Sequence, residues 1–122
     1  MSRATAGGLP MGEHRFVFGV DPVVLFRFSA LTYNAHRIHF DHRFAAAEGY
    51  ADLVVHGPLQ IVLMAELFRR YGRDLVGPEF RYRLLVLAVG PQRLTVATAG
   101  PDAAEVYDGE RRRVAEGSAS RS

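Results

Sequence analysis

The stretch 31–57, LTYNAHRIHFDHRFAAAEGYADLVVHG, holds four of the chain's five histidines: His36, His39, His42 and His56. Tyr33, Asn34, Arg37 and Asp41 stand among them. Imidazole titrates near neutral pH, so such a cluster suits proton transfer or metal binding. Asn34 and His39 lie five residues apart, with small or polar residues between. A histidine to move a proton and an amide to orient water make an acid–base pair; both types are also common turn residues. The spacing His36-x-x-His39-x-x-His42, with Asp41 as an oxygen donor, fits a metal set as an alternative. On a helix His36 and His39 would share a face. His42 reads as a solvated loop residue. His56-Gly57-Pro58 opens an apolar run. A helix starting there offers free backbone N–H groups and a partial positive charge, able to hold a carbonyl oxygen that gains negative charge. Gly57 permits close approach to that backbone. Equally, Gly-Pro is a plain helix start.

These residues need a scaffold. The alternation of Phe16, Phe18 and Val20 within 14–20 predicts a short strand, and Asp21-Pro22 a break. The run 23–28, VVLFRF, reads as a buried strand. The stretch 31–51 has no sustained period and predicts short helix or turn pieces around 41–48. Residues 53–55 read as a short strand leading into a helix over 59–72, with Pro58 in its first turn and Gly72 at its C-terminal cap. That helix is apolar nearly all round, Gln60 and Glu66 excepted, and should be enclosed. After Gly77-Pro78, alternation at Phe80, Tyr82 and Leu84, then at Leu94, Val96 and Thr98, predicts further strands. Turns are expected at Gly90-Pro91 and at Gly100-Pro101-Asp102. A last hairpin, 105–107 with 111–115, should turn at Asp108-Gly109. The order implies an α+β fold, a curved antiparallel sheet with one long helix against it. Residues 1–12 read as a flexible tail, 13–117 as one domain and 118–122 as a solvent-exposed tail.

All fifteen basic residues are arginine, the net charge is +2 and the sequence pI is about 9.4. Arginine forks suit phosphate and carboxylate. They are scattered, without a basic stripe or stacking platform, which argues against nucleic acid as a partner. No run approaches a membrane span, and the N-terminus lacks an apolar signal core. With no cysteine there is neither a disulfide framework nor thiolate chemistry, and a cytoplasmic location fits.

Two resemblances bear on the histidine cluster. The three-histidine spacing resembles the HxHxDH signature of metallo-β-lactamase-like hydrolases, but with one extra residue between the first two histidines and without Gly-rich flanks. By contrast, YNAHRIHFD followed by GYADLVVHGPLQIVLMAELFRR resembles the MaoC-like acyl dehydratases over roughly 21–70. The similar branch contains the mesaconyl- and itaconyl-type CoA hydratases and the mitochondrial 3-hydroxyacyl-thioester dehydratase. This resemblance implies a hotdog fold and reversible hydration of a 2-enoyl thioester carried on CoA or an acyl carrier, with no cofactor and no metal. The wider family's motif is an Asp, a His five residues later and an Asp two further on. His39 and Asp41 match it, while Asn34 stands where the first Asp would. The implied roles are His39 as general acid–base, Asn34 as holder of the water and the Gly57 N–H as polariser of the thioester carbonyl. His56, Tyr33, His36 and Arg37 would form the pocket, and arginines from Arg69 onward would meet CoA phosphates. Members of this branch often carry two repeats per chain, so a one-repeat chain is expected to pair as a homodimer, or with a second hotdog chain. Other readings on the same fold are a thioesterase, using Asp41 or Glu48, and a non-catalytic acyl-thioester-binding subunit.

Overall fold

The computed structural model describes residues 14–72 and 79–119. Five strands form one antiparallel sheet: β1 Arg15–Val20, β2 Phe80–Leu84, β3 Gln92–Thr98, β4 Ala103–Tyr107 and β5 Arg113–Ala119. Their spatial order is β1-β3-β4-β5-β2, which leaves β1 and β2 as the edges. Leu94, Val96, Val106 and Val114 are wholly buried, and so are Met64, Leu67 and Phe68 of the long helix packed against that sheet face. The α+β architecture is therefore the expected one.

Three helices and a 3-10 turn join the strands: α1 Pro22–Leu31, the 3-10 turn Arg37–His39, α2 His42–Ala47 and α3 Gly57–Arg70. The helix α1 corrects the strand expected over 23–28. The Asp21 carboxylate accepts the Val24 N–H at 2.8 Å, and Pro22 takes the first helical turn. So Asp-Pro is a capped helix start here rather than only a break. Leu25 and Ser29, four residues apart, are buried, whereas Val23, Phe26 and Leu31 are exposed. A short apolar run does not distinguish a strand from a helix.

Residues 53–55 form one bridge, Val54 to Val89, rather than a strand, yet their backbone is tied down. The Val54 N–H donates to Ile38, the Val55 N–H to Ala88, and the Leu53 carbonyl accepts from Gly90. The helix α3 begins two residues before the expected start, and Tyr71 is its cap, with Gly72 following at φ 85°. It is not enclosed all round: Val62 on its outer side is half exposed. Strand β5 runs through Ala119, which is buried, so 118–119 belong to the sheet and not to a solvent tail. The last hairpin is longer than expected on both arms, and Asp108 holds its turn by accepting the Glu110 and Arg112 N–H groups. The expected tail 1–12, the Gly77-Pro78 turn and residues 120–122 lie outside the described residues.

Candidate functional site

Four segments meet at the N-terminal end of α3. From α1 comes Ser29, from the turn His39, from the 53–55 stretch the Val54 carbonyl, and from the cap of α3 His56. His39 is 8% exposed and His56 is fully buried. Their rings stack with centroids 3.7 Å apart at 15°. His39 Nδ1 lies 2.7 Å from the Val54 carbonyl oxygen. A carbonyl only accepts, so Nδ1 carries the proton, and in the neutral ring Nε2 is left as a lone-pair acceptor. Burial lowers the His39 pKa, the Val54 carbonyl partly offsets this, and nearby His36 lowers it further. His56 is pushed down to about 4, first by burial and then by the charge His39 would carry. Both imidazoles are thus neutral at neutral pH.

His56 Nε2 sits 2.7 Å from Ser29 Oγ, and the Phe28 ring meets the His56 ring edge-on at 4.8 Å. Two buried side-chain atoms, His56 Nδ1 and Gln60 Oε1, make no hydrogen bond among the described residues.

Asn34 is placed by the Tyr33 turn, where Tyr33 adopts φ 55°, and its N–H donates to the Ser29 carbonyl at 2.8 Å. Its Oδ1 accepts the His36 N–H at 3.0 Å, leaving one lone pair on that oxygen and the amide protons. Asn34 and Ser29 line an open, mainly apolar cavity of about 400 Å³ with Phe26, Ala30, Tyr33 and Phe40. Tyr33 is 95% exposed at its rim. The His36 ring meets the His39 ring edge-on with centres 6.0 Å apart, whereas Arg37 lies 4.0 Å from Asp41 and 5.6 Å from the Phe44 ring centre.

Asp41 caps α2 by accepting the Arg43 and Phe44 N–H groups, and His42 lies at the surface 3.3 Å from Asp52. The four candidate metal ligands therefore serve different ends, and among the described residues no three His, Asp or Glu side chains converge as a metal set. At Gly57 a Cβ would lie 2.5 Å from Leu84 Cδ1, so a side chain there collides with the half-exposed Leu84, which would have to move. The first N–H groups of α3 have no partner within the helix, as in any helix. Arg69 and Arg70 both bind Glu66, and Arg70 lies over Phe16, 4.1 Å from its ring centre. Glu66 is held down to about 2 by these bonds.

Sequence reading missed Ser29, Gln60 and the Val54 carbonyl as parts of the site. A signal existed for the first two: Ser29 is, with Arg27, one of two polar residues in the otherwise apolar VVLFRFSAL, and Gln60 is a lone amide in the apolar start of α3. A backbone carbonyl leaves none.

The family model for hydroxyacyl-thioester dehydratase type 2 matches residues 8–89. A mesaconyl-C(4)-CoA hydratase of Chloroflexus aurantiacus is 51% identical over 82 residues, covering 66% of this chain and 29% of that protein. The chain spans under a third of the length of the curated relatives it matches. An R-hydratase from Pseudomonas aeruginosa superposes with TM-score 0.73 at 16% identity, covering 89% of this chain and 77% of its own. One chain of the C-terminally truncated HadBC 3R-hydroxyacyl-ACP dehydratase complex from Mycobacterium tuberculosis gives 0.67 at 17%, covering 87% and 90%. These structural likenesses show the hotdog fold, a sheet wrapped on one long helix. With the matched segment carrying the whole histidine site, the chain belongs to the hydroxyacyl-thioester dehydratase type 2 family.

Proposed function

We propose that the chain carries out reversible hydration of a 2-enoyl thioester, and dehydration of the 3-hydroxyacyl thioester, on CoA or an acyl carrier. The observation that carries this reading is the His39 tautomer. With Nδ1–H held by Val54, Nε2 of a neutral, buried ring is the atom left to take a proton. In hydration the water oxygen bonds to the β-carbon while Nε2 accepts a water proton. The α-carbon then takes a proton back from the imidazolium, so His39 ends unchanged. Asn34 orients the water with its free lone pair or amide protons. The Gly57 N–H, at the positive end of α3, faces the thioester oxygen as the α-carbon takes on enolate character. The apolar cavity beside Ser29 and Asn34 suits the acyl chain, with Tyr33 at its rim. Asp41, one of the two carboxylates (with Glu48) that a thioesterase would use, commits its Oδ1 to two backbone N–H groups. Loss of enoyl-CoA absorbance without free thiol is the result expected; thiol release would favour hydrolysis, and no reaction with short or medium acyl chains would favour a binding subunit.

Asn34 provides a graded test. Asn34→Ala removes both the turn acceptor and the water contact, and kcat should fall roughly tenfold, the scale of one hydrogen bond. Asn34→Asp keeps an acceptor for the His36 N–H and adds a basic oxygen, so activity should hold or rise. An active protein indifferent to Asn34→Ala takes Asn34 out of the mechanism.

We also propose that two copies pair. Among the described residues β1 and β2 are the outer strands of the sheet, and Tyr82 and Leu84 on β2 are half exposed. Open edges invite a continuous sheet across a two-fold axis. Light scattering at micromolar concentration should give twice the 13.5 kDa chain mass; a monomer mass would contradict the homodimer and leave a second hotdog chain as the partner. Among the described residues no helix is long and apolar enough to cross a membrane, and the cysteine-free sequence supports a cytoplasmic setting.

A further inference from the structure

The acid–base reading of His39 leaves its stacked neighbour unexplained. His56 is fully buried, and burying a polar ring without partners is costly. Its hydrogen bonds can be assigned by counting protons. The Ser29 hydroxyl is 2.7 Å from His56 Nε2 and makes no other hydrogen bond among the described residues, unlike Thr32, whose hydroxyl bonds back to the Phe28 carbonyl. If His56 Nε2–H donated to Ser29, three things would be unmet: the hydroxyl proton, the Nδ1 lone pair and Gln60 Oε1. If Ser29 donates to Nε2 instead, Nδ1 carries a proton, and the two unpaired atoms become one donor and one acceptor. His56 caps α3 and Gln60 stands in its first turn, with the Gln60 N–H donating to the His56 carbonyl at 3.4 Å, so both side chains leave the same end of the helix.

We propose that Ser29, His56 and Gln60 form a positioning chain for His39: Ser29 O–H donates to His56 Nε2, and His56 Nδ1–H is directed to Gln60 Oε1. With both nitrogens committed, His56 takes no proton unless the Ser29 bond breaks. It is a fixed neutral slab, and the His39 ring lies flat on it at 3.7 Å. The stack and the Val54 bond together set where His39 Nε2 points, and they confine protonation to His39. The groups in contact with the pair are Ser29 and Phe28 from α1, the Val54 carbonyl and, before the turn, His36, the titratable one among them. The link to catalysis rests on the hydratase reading; the tautomer does not.

Nitrogen-15 NMR of the histidine side chains in the intact protein tests the chain without any substrate. The expected result is His56 in the Nδ1–H tautomer and without titration between pH 5 and 8. Ser29→Ala should mix the His56 tautomers and lower kcat roughly tenfold with KM unchanged, the effect of one hydrogen bond. Ser29→Thr should restore both. An Nε2–H tautomer in the wild type, or titration of His56 near neutral pH, overturns the chain even if Ser29→Ala fails to fold. A mixed tautomer in Ser29→Ala with full kcat refutes the positioning role. If the wild type shows no hydration at all, the hydratase reading fails while the tautomer result still decides the chain.

Discussion

His39→Ala should lower the turnover of enoyl-thioester hydration by about 10²–10⁴-fold, the usual range for a general acid–base. The substitution removes the lone pair on Nε2 that takes the water proton, and nothing else at the site replaces it. Its neighbour His56 is committed to Ser29, and His36 is 6.0 Å away, ring centre to ring centre. His42→Ala is the matched control. Its side chain is at the surface near Asp52, so its loss should leave the rate nearly unchanged. Equal effects of the two substitutions would show that the proton passes elsewhere. The thioester should still bind to His39→Ala, so the loss should fall on kcat rather than on KM.

Folding stability should fall as the pH is lowered from about 7 toward 4. His56 has its pKa depressed to about 4 in the folded protein, against 6.5 for an unhindered histidine, and His39 is depressed in the same direction. Between those values the unfolded chain binds more protons than the folded one, so stability rises with pH there and is lost on acidification. Well above pH 6.5 these two histidines contribute no slope. For His56 alone, two to three pH units amount to about 3 kcal/mol as an upper bound. Urea midpoints measured at pH 7 and at pH 4.5 check this, and His56→Gln should flatten the dependence. A wild-type midpoint that does not move over this range would contradict the burial of two neutral imidazoles.

Much of this was legible in the chain. The period-two alternation at Phe16, Phe18 and Val20, and at Leu94, Val96 and Thr98, gave the strands, because one sheet face is buried and the other is not. His39 stood out through its neighbours, and Gly57-Pro58 through its place before an apolar run. The strand expected at 23–28 failed for a physical reason. β-Branched and aromatic residues favour strands only weakly, and a carboxylate cap with proline in the first turn overrode them. The enclosed α3 was an overreach of the same kind, since apolar composition alone does not say which side is covered. Least legible was the pairing of His39 with His56. They lie seventeen positions apart, and the stack depends on the Val54 carbonyl and on α1 bringing Ser29 in from the other side. No spacing rule encodes a contact made by three segments and one backbone oxygen.

Addition of water across a conjugated thioester at His39 leaves its mark on the atoms of the product. Isotope tracing of the product tests it most directly. Crotonyl-CoA incubated with the protein in heavy-oxygen water should give an intact 3-hydroxyacyl-CoA with the label on the β-carbon hydroxyl, and deuterated water should place one deuterium on the α-carbon. Label in a free carboxylate, with CoA released, or no incorporation into any product, would contradict the account.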